Sequence, residues 1–157
     1  MARKTEHTKH AMDAVDLEII RELKLDSRRS FRELSSVICL SPAALIERVK
    51  KLEDAEIILG YSARVDHYVM GYDFMGLVQI SIAKGALLEV QEKISKLRGV
   101  AAVYDLTGEY DSVALVLCKS RVEMSNLIKS INKIPEVSKT NTSMILNVVK
   151  RMDEFQI

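Results

Sequence analysis

Residues Ser30–Asp54 read SFRELSSVICLSPAALIERVKKLED, and the punctuation of this stretch decides the fold of the first third of the chain. Ser30-Phe31-Arg32-Glu33 has the form of a capping box. In that motif a Ser side chain satisfies a free backbone N–H, and a Glu three residues on reaches back. Phe31, Leu34 and Val37 then give a short amphipathic helix, and Ile38-Cys39-Leu40 is its turn. Ser41-Pro42 restarts a helix, with Ser as N-cap and Pro at the first helical position, where its missing N–H costs nothing. This next helix runs from Pro42 to Glu53 or Ala55. At about 100° per residue, Leu45, Val49 and Leu52 share one apolar face. Ala43, Glu47, Lys50 and Asp54 point directly away, Ala44 and Lys51 lie on one flank, and Arg48 sits at the edge of the apolar face.

Upstream, Val15, Leu17, Ile19, Ile20, Leu23 and Leu25 give a first helix over about Ala14–Leu25, with Asp13 as its N-cap. Three helices with a tight turn before the third form a helix-turn-helix. Small residues at the start of that third helix let it approach base edges, and cations further along can meet phosphates. Charge agrees locally rather than globally. The chain of 157 residues carries a net charge of +1. Residues 27–51 hold Arg28, Arg29, Arg32, Arg48, Lys50 and Lys51 against Glu33 and Glu47, which is +4 in that stretch.

The rest of the chain alternates two periodicities. Ile57–Asp66 reads as an extended hinge strand. In Phe74–Ala83, Val78, Ile80 and Ile82 alternate with Gln79, Ser81 and Ala83, which is strand spacing. Leu87, Val90, Ile94 and Leu97 follow at helical spacing and Arg98-Gly99 closes that helix. A strand over Val100–Thr107, a tight turn at Gly108–Tyr110, a strand over Asp111–Lys119, a helix over Val122–Asn132 and a final strand over Glu136–Lys150 complete the series. A shift of 37 residues superposes Val78 on Leu115, Ile80 on Leu117, Val90 on Leu127, Ile94 on Ile131 and Val100 on Val137. Two βαβ units in series predict a ferredoxin-like βαββαβ sandwich, so the fold class is α+β. One sheet face takes the helices; the other is expected to carry Val116 and Cys118 and to bury them against a second copy in a homodimer. The domain reading is a flexible arm at 1–12, a helix-turn-helix domain at 13–56, a hinge strand and linker at 57–73, a ferredoxin-like domain at 74–150 and a tail at 151–157.

The order of these pieces resembles the Lrp/AsnC (leucine-responsive, "feast/famine") family. The resemblance covers about Asp13 to Lys150. It rests on Asp16-Leu17-Glu18-Ile19-Ile20, Leu40-Ser41-Pro42, Arg48-Val49-Lys50-Lys51-Leu52-Glu53, Ile57-Ile58-Leu59-Gly60-Tyr61, Thr107-Gly108-Glu109-Tyr110-Asp111 and Thr140-Asn141-Thr142. It implies a transcription regulator that forms dimers and octamers and binds a free amino acid between dimers. By that resemblance the effector residues are Asp105, Gly108, Glu109, Tyr110 and Asp111, faced by Thr140, Thr142, Ser143 and Met144. Asp111 could pair with an effector's ammonium group, while turn N–H groups and Thr hydroxyls take its carboxylate.

Double-stranded DNA with a palindromic site is the expected partner, since a dimer presents two reading helices. Arg28, Arg29, Lys50 and Lys51 would anchor phosphates, with Ser30, Arg32 and Pro42 beside them. Ser41, Ala43, Ala44 and Glu47 would lie near bases, and Arg48 would either reach DNA or brace the helix. Two residues depart from the family pattern. Cys39 stands where Gly is usual at the turn, and Glu47 stands where many members carry a cation or small polar residue. Glu47 is tolerated on a DNA face if it accepts from a cytosine N4 amine or pairs with Lys51. Two alternatives stay open at this point: a sequence-tolerant architectural protein without effector, and an amino-acid sensor acting on a protein partner. No enzyme is expected, because His7, His10 and His67 are scattered and neither a nucleophile–base pair nor a metal spacing is visible. No metal or cofactor is expected beyond the amino-acid effector. Cys39 and Cys118 lie far apart, Met1–His10 lacks an apolar signal core, and no apolar run reaches the roughly 18 residues of a membrane span, so the expected compartment is the cytoplasm.

Overall fold

A computed structural model describes residues 11–155, so most of the expected arm at 1–12 and the end of the tail lie outside the described residues. The chain divides into two compact units. One takes the chain up to Arg64 together with the segment from Arg151 onward, and the other is Val65–Lys150.

The first unit is built from α1 (Ala14–Leu25), α2 (Phe31–Ile38) and α3 (Pro42–Asp54). Each helix starts where a side chain can satisfy a free N–H. Asp13 and Asp16 form a reciprocal capping box on α1, Ser30 and Glu33 form one on α2, and Ser41 caps α3 through the Ala44 amide with Pro42 behind it. Ile19, Leu23, Leu34, Ile38, Leu45, Val49 and Leu52 make the core of this unit. In α2 the buried positions are Leu34, Ser35 and Ile38, while Phe31 and Val37 are exposed. The expected apolar face was Phe31–Leu34–Val37. The helix instead buries an i,i+4 pair, because Ile38 is its last residue and not part of the turn. Beyond α3, Ile57 and Ile58 both donate N–H to Leu52 O and pack against the core. The expected hinge strand does not form: residues 59–66 belong to no sheet. At the other end of the unit a single 3-10 turn (Met152–Glu154) follows, with Lys24 donating to Phe155 O and Arg64 pairing with Glu154 at 3.5 Å.

The second unit is a four-stranded antiparallel sheet with two helices: β1 (Phe74–Ile82), α4 (Leu87–Ser95), β2 (Val100–Asp105), β3 (Ser112–Cys118), α5 (Arg121–Asn132) and β4 (Val137–Met144). The strand order β2-β3-β1-β4 is the ferredoxin-like arrangement predicted. β2 and β3 stop short of the expected ends, leaving a longer connecting loop, and β4 ends at Met144 instead of running to Lys150. One further bond, Ile145 N–H to Met75 O at 2.9 Å, continues the pairing past Met144.

Val78, Ile80 and Ile82 from β1 and Ala114, Val116 and Cys118 from β3 meet Val90, Ile94, Met124, Leu127 and Ile131 from the helices. Val116 and Cys118 therefore face the helices, which corrects the expectation that they line the open face. The two halves superpose at a shift of 37 in the helices, where Val90 and Leu127, and Ile94 and Ile131, are equivalent core positions. In the strands the equivalent core pairs are Val78 and Ala114, Ile80 and Val116, Ile82 and Cys118, a shift of 36. The segment from Cys118 to Leu127 is one residue longer than its counterpart from Ile82 to Val90. Side chains alternate faces along a strand, so that single residue reverses which set points inward. The open face therefore carries Met75, Leu77, Val113, Leu115 and Leu117 on the central strands, with Tyr104 beside them.

α4 ends at Ser95 with Lys96 as its C-cap, short of the expected Arg98-Gly99 closure; Gly99 sits in the turn into β2 at a φ of 93°, and its carbonyl accepts from the Leu117 amide at 2.7 Å. A Cβ there would lie 3.1 Å from Leu117 O and 3.2 Å from the Leu127 side chain. Gly99→Ala is expected to lower stability by about 1–3 kcal/mol through the positive φ and the crowding, read as a fall in the denaturant midpoint with unchanged slope. Stability equal to the parent would mean that this turn relaxes freely.

Candidate nucleic-acid interface and effector turn

The outward side of α3 has the expected exposure: Ser41, Pro42, Ala43, Glu47, Lys50 and Lys51 are exposed and Ala44 half-buried, while Leu45, Val49 and Leu52 are buried beneath them. Lys51 pairs with Glu47 at 2.8 Å across one helical turn, the arrangement that makes a Glu tolerable on this face. That pairing pulls the Glu47 carboxyl below its usual range, first through the hydrogen bond and then through the charge itself. The Lys50 ammonium and the Arg32 guanidinium have no ion pair among the described residues. Arg28 is almost fully exposed and lies 3.8 Å from Asp26. Arg29 is tied to Glu22 of α1 and is the less available of the two. Ser30 is occupied in capping, its hydroxyl 2.8 Å from the Glu33 carboxylate.

Arg48 has the geometry of a brace. Its guanidinium donates to Asp16 Oδ1 at 2.7 Å and to Asp13 Oδ2 at 2.8 Å, so it links α3 to the first turn of α1. The Asp16 side chain is only 6% exposed, and its other oxygen accepts the Asp13 amide at 3.2 Å. Cys39 occupies the α2–α3 turn in the left-handed conformation, φ 58° and ψ 38°, a geometry that favours Gly. The turn keeps its shape, and the thiol-bearing residue takes the strained angles: Cys39 and Leu40 both donate N–H to Ser35 O.

The second candidate region is the loop between β2 and β3. The Leu106 amide donates to Asp111 O and the Asp111 amide to Ile80 O, each at 3.0 Å. One oxygen of the Asp111 carboxylate accepts the Ile82 amide at 2.7 Å, where the β1–β4 register shifts between Ser81 and Ile82. Asp111 thus holds the bulge with one carboxylate oxygen, and the residue is exposed. Gly108 has open space around it, and Asp105 and Glu109 are exposed. Register divides the expected partners between the two sheet faces. Thr140, Thr142 and Met144 pair with Ile80, Val78 and Gly76 and share the helix-side face, whereas Ser143 pairs with Leu77 on the open face. The Thr140 hydroxyl already bonds Asn132 Oδ1 at 2.9 Å. The β4 side chain that does reach the loop is Lys139, 3.4 Å from the Glu109 carboxylate and 5.2 Å from the centre of the Tyr110 ring. The sequence reading missed Lys139. Its signal was the strand alternation, which sets Lys139 on the face opposite Thr140.

Comparison with known proteins fits both regions. An AsnC-type helix-turn-helix domain matches residues 12–53, and an Lrp/AsnC ligand binding domain matches residues 76–155. The chain belongs to the Lrp/AsnC family of transcription regulators. An uncharacterized HTH-type transcriptional regulator of Pyrococcus horikoshii is 33% identical, over 93% of this chain and 97% of that protein. Escherichia coli AsnC superposes with a TM-score of 0.83 at 27% identity, covering 90% of this chain and 98% of that one. A transcriptional regulator from Neisseria meningitidis, solved as an L-Met complex, superposes with a TM-score of 0.83 at 25% identity, covering 89% of this chain and 93% of that one.

In this Lrp/AsnC regulator Arg48 ties α3 to α1, and the chemistry of that link has a pH signature. The Asp13 carboxyl is held below its ordinary value of 3.8, first by the Asp16 amide and then by Arg48. A depressed carboxyl contributes stability that is complete above its unfolded value and is lost as pH falls through the folded one. Asp13→Asn is therefore expected to lower the melting temperature at pH 7, with the deficit shrinking as pH drops below 3.8. Arg48→Ala, which removes the charged link from α3 to α1, is expected to lower the melting temperature at pH 7, and Arg48→Lys to lower it less. Thermal unfolding across pH checks both, and a deficit for Asp13→Asn that grows in acid would contradict the assigned sign.

Proposed function

We propose that the protein binds palindromic double-stranded DNA in a sequence-specific way as a homodimer, with α3 of each copy in successive major grooves, and that an amino acid modulates it. The observation that carries the DNA reading is the outward side of α3: small exposed residues at its capped N-terminal end, then Lys50 with no ion pair among the described residues, on a helix tied to α1 through Arg48. Ser41, Ala43, Ala44 and Glu47 would meet base edges, with Pro42 at the entry. Arg28, Arg32 and Lys50, helped by Arg29, Lys51 and Ser30, would meet phosphates. Arg48 would act by positioning α3.

The open face of the sheet supports pairing of two copies. Leu77, Val113, Leu115 and Tyr104 put half-exposed apolar surface over its central strands, and a second copy would remove that surface from water. Octamers, implied by the family resemblance, would be built from such dimers. The effector reading rests on the relative solved with L-Met and on the charges gathered at the β2–β3 loop. Glu109 and the free oxygen of Asp111 suit an ammonium group; Lys139 and the turn amides around Gly108 suit a carboxylate.

Selection of bound duplexes from random DNA, with and without each of the twenty amino acids, tests the whole proposal. A recurring palindrome is expected, along with a change in affinity with one amino acid or a few. Long regular protection without a consensus would favour an architectural role instead. For the selected site, Lys50→Ala is expected to weaken binding uniformly across sequences and to reduce the salt slope by about 1. An unchanged slope would remove Lys50 from the phosphate contacts. Any effector should also raise the melting temperature, since a ligand at 100 times its Kd adds about 2.7 kcal/mol, and Glu109→Gln should diminish that rise. If none of the twenty shifts either readout, the effector half of the proposal fails and the DNA half stands.

A further inference from the structure

We propose that Ile46 is a specificity-determining residue of the reading helix, and that it recognises the C5-methyl group of a pyrimidine, thymine above all, in the major groove. The inference rests on the DNA-binding reading of α3. Ala43, Ile46, Glu47 and Lys50 stand at i, i+3, i+4 and i+7, and all four are exposed, so they form one outward stripe along the helix. Ile46 is 47% exposed. It belongs neither to the core of its unit nor to the partly buried shell of Val15, Ile20, Leu40, Ile57 and Ile58 packed on that core. Nothing local favours an isoleucine there. Its branched side chain loses rotamer freedom in a helix, and half of its apolar surface stays in water.

The chemistry of the stripe gives it a use. Ala43 is small, and Glu47 is engaged by Lys51 at 2.8 Å, which leaves Lys50 as the free polar group and Ile46 as the large unengaged one. The major groove displays donors, acceptors and a single apolar feature, the thymine methyl. A branched alkyl group three residues beyond the small Ala43 that opens the stripe is suited to cover that methyl. Ile46 lies midway between Ala43, where the backbone can approach bases, and Lys50, where charge can meet phosphate. Exposed apolar residues are ordinary on protein surfaces, so position on this stripe, and not exposure alone, carries the inference.

The test uses the full-length protein and the palindrome recovered by selection. Each thymine of a half-site is replaced in turn by uracil, which removes only the methyl group. Wild-type protein is expected to lose about fourfold in affinity at one position per half-site, the worth of burying one methyl group, and to be indifferent elsewhere. Ile46→Ala should bind thymine and uracil equally at that position, while Ile46→Val should keep most of the difference. A cytosine at the position should weaken wild-type binding, and 5-methylcytosine should restore part of it. Because Ile46 lies outside the core, the alanine variant should melt with the parent, which separates lost recognition from lost folding. If wild type is indifferent to uracil at every position, or Ile46→Ala keeps the parent's thymine-to-uracil ratio, the inference is overturned while the DNA reading survives. If no duplex is bound at low salt, both fall.

Discussion

A guanidinium joined to two carboxylates sets the geometry of the first unit. Arg48 reaches from α3 to Asp16 and Asp13, and those two acids are also each other's caps at the start of α1. One cluster therefore starts a helix and fixes the direction of another. The core beneath it, from Ile19 to Leu52, supplies the bulk of the burial but is non-directional. Leu and Val side chains on α3 would tolerate a rotation or slide that the charged link does not. Recognition of base edges needs that restriction, because a shift of about one ångström takes a donor out of hydrogen-bond geometry. The Arg48 charge is engaged with Asp13 and Asp16, and the exposed side of the helix carries Ala43, Ile46, Glu47 and Lys50.

Much of this unit was legible in the sequence because its signals are local. Ser30 with Glu33, Ser41 with Pro42, and Asp13 before a periodic run mark helix starts without knowledge of the rest of the chain. The core face of α3 followed from a period of 3.6 over thirteen residues. In α2 the periodicity had only eight residues to act on, and the choice between Val37 and Ile38 as the inward residue fell to tertiary packing. Arg48 sat at the edge of the apolar face by angle alone. Its partners are more than thirty positions away in sequence, and no spacing rule could name them.

The sheet unit was legible in order and misread in register. Strand and helix succession came from the change of period between 2 and 3.6, and the antiparallel order followed from the doubled βαβ pattern. Which strand face points inward depends on a single residue, and β3 is apolar at nearly every position from Val113 to Cys118. A strand with both faces apolar offers no alternation to read. The helices imposed their own shift of 37 on the superposition, and the strands follow 36. The loop at Leu106–Asp111 shows the same limit from another side. Asp111 looked free for a ligand because its bond to the Ile82 amide joins residues far apart in the chain.

The two halves of that sheet unit also begin their helices differently. α5 starts on Ser120, whose side chain accepts from the Glu123 amide, whereas α4 starts on Ala86 with no side-chain cap. A missing cap is worth about 1 kcal/mol, and in a unit held together by one shared core that difference falls on the local opening of the first turn of α4. Amide protons at the start of α4 should therefore exchange with solvent ahead of their counterparts in α5, although the two helices pack on the same core. The duplicated architecture thus carries a gradient of local stability, with its soft end at the first crossover.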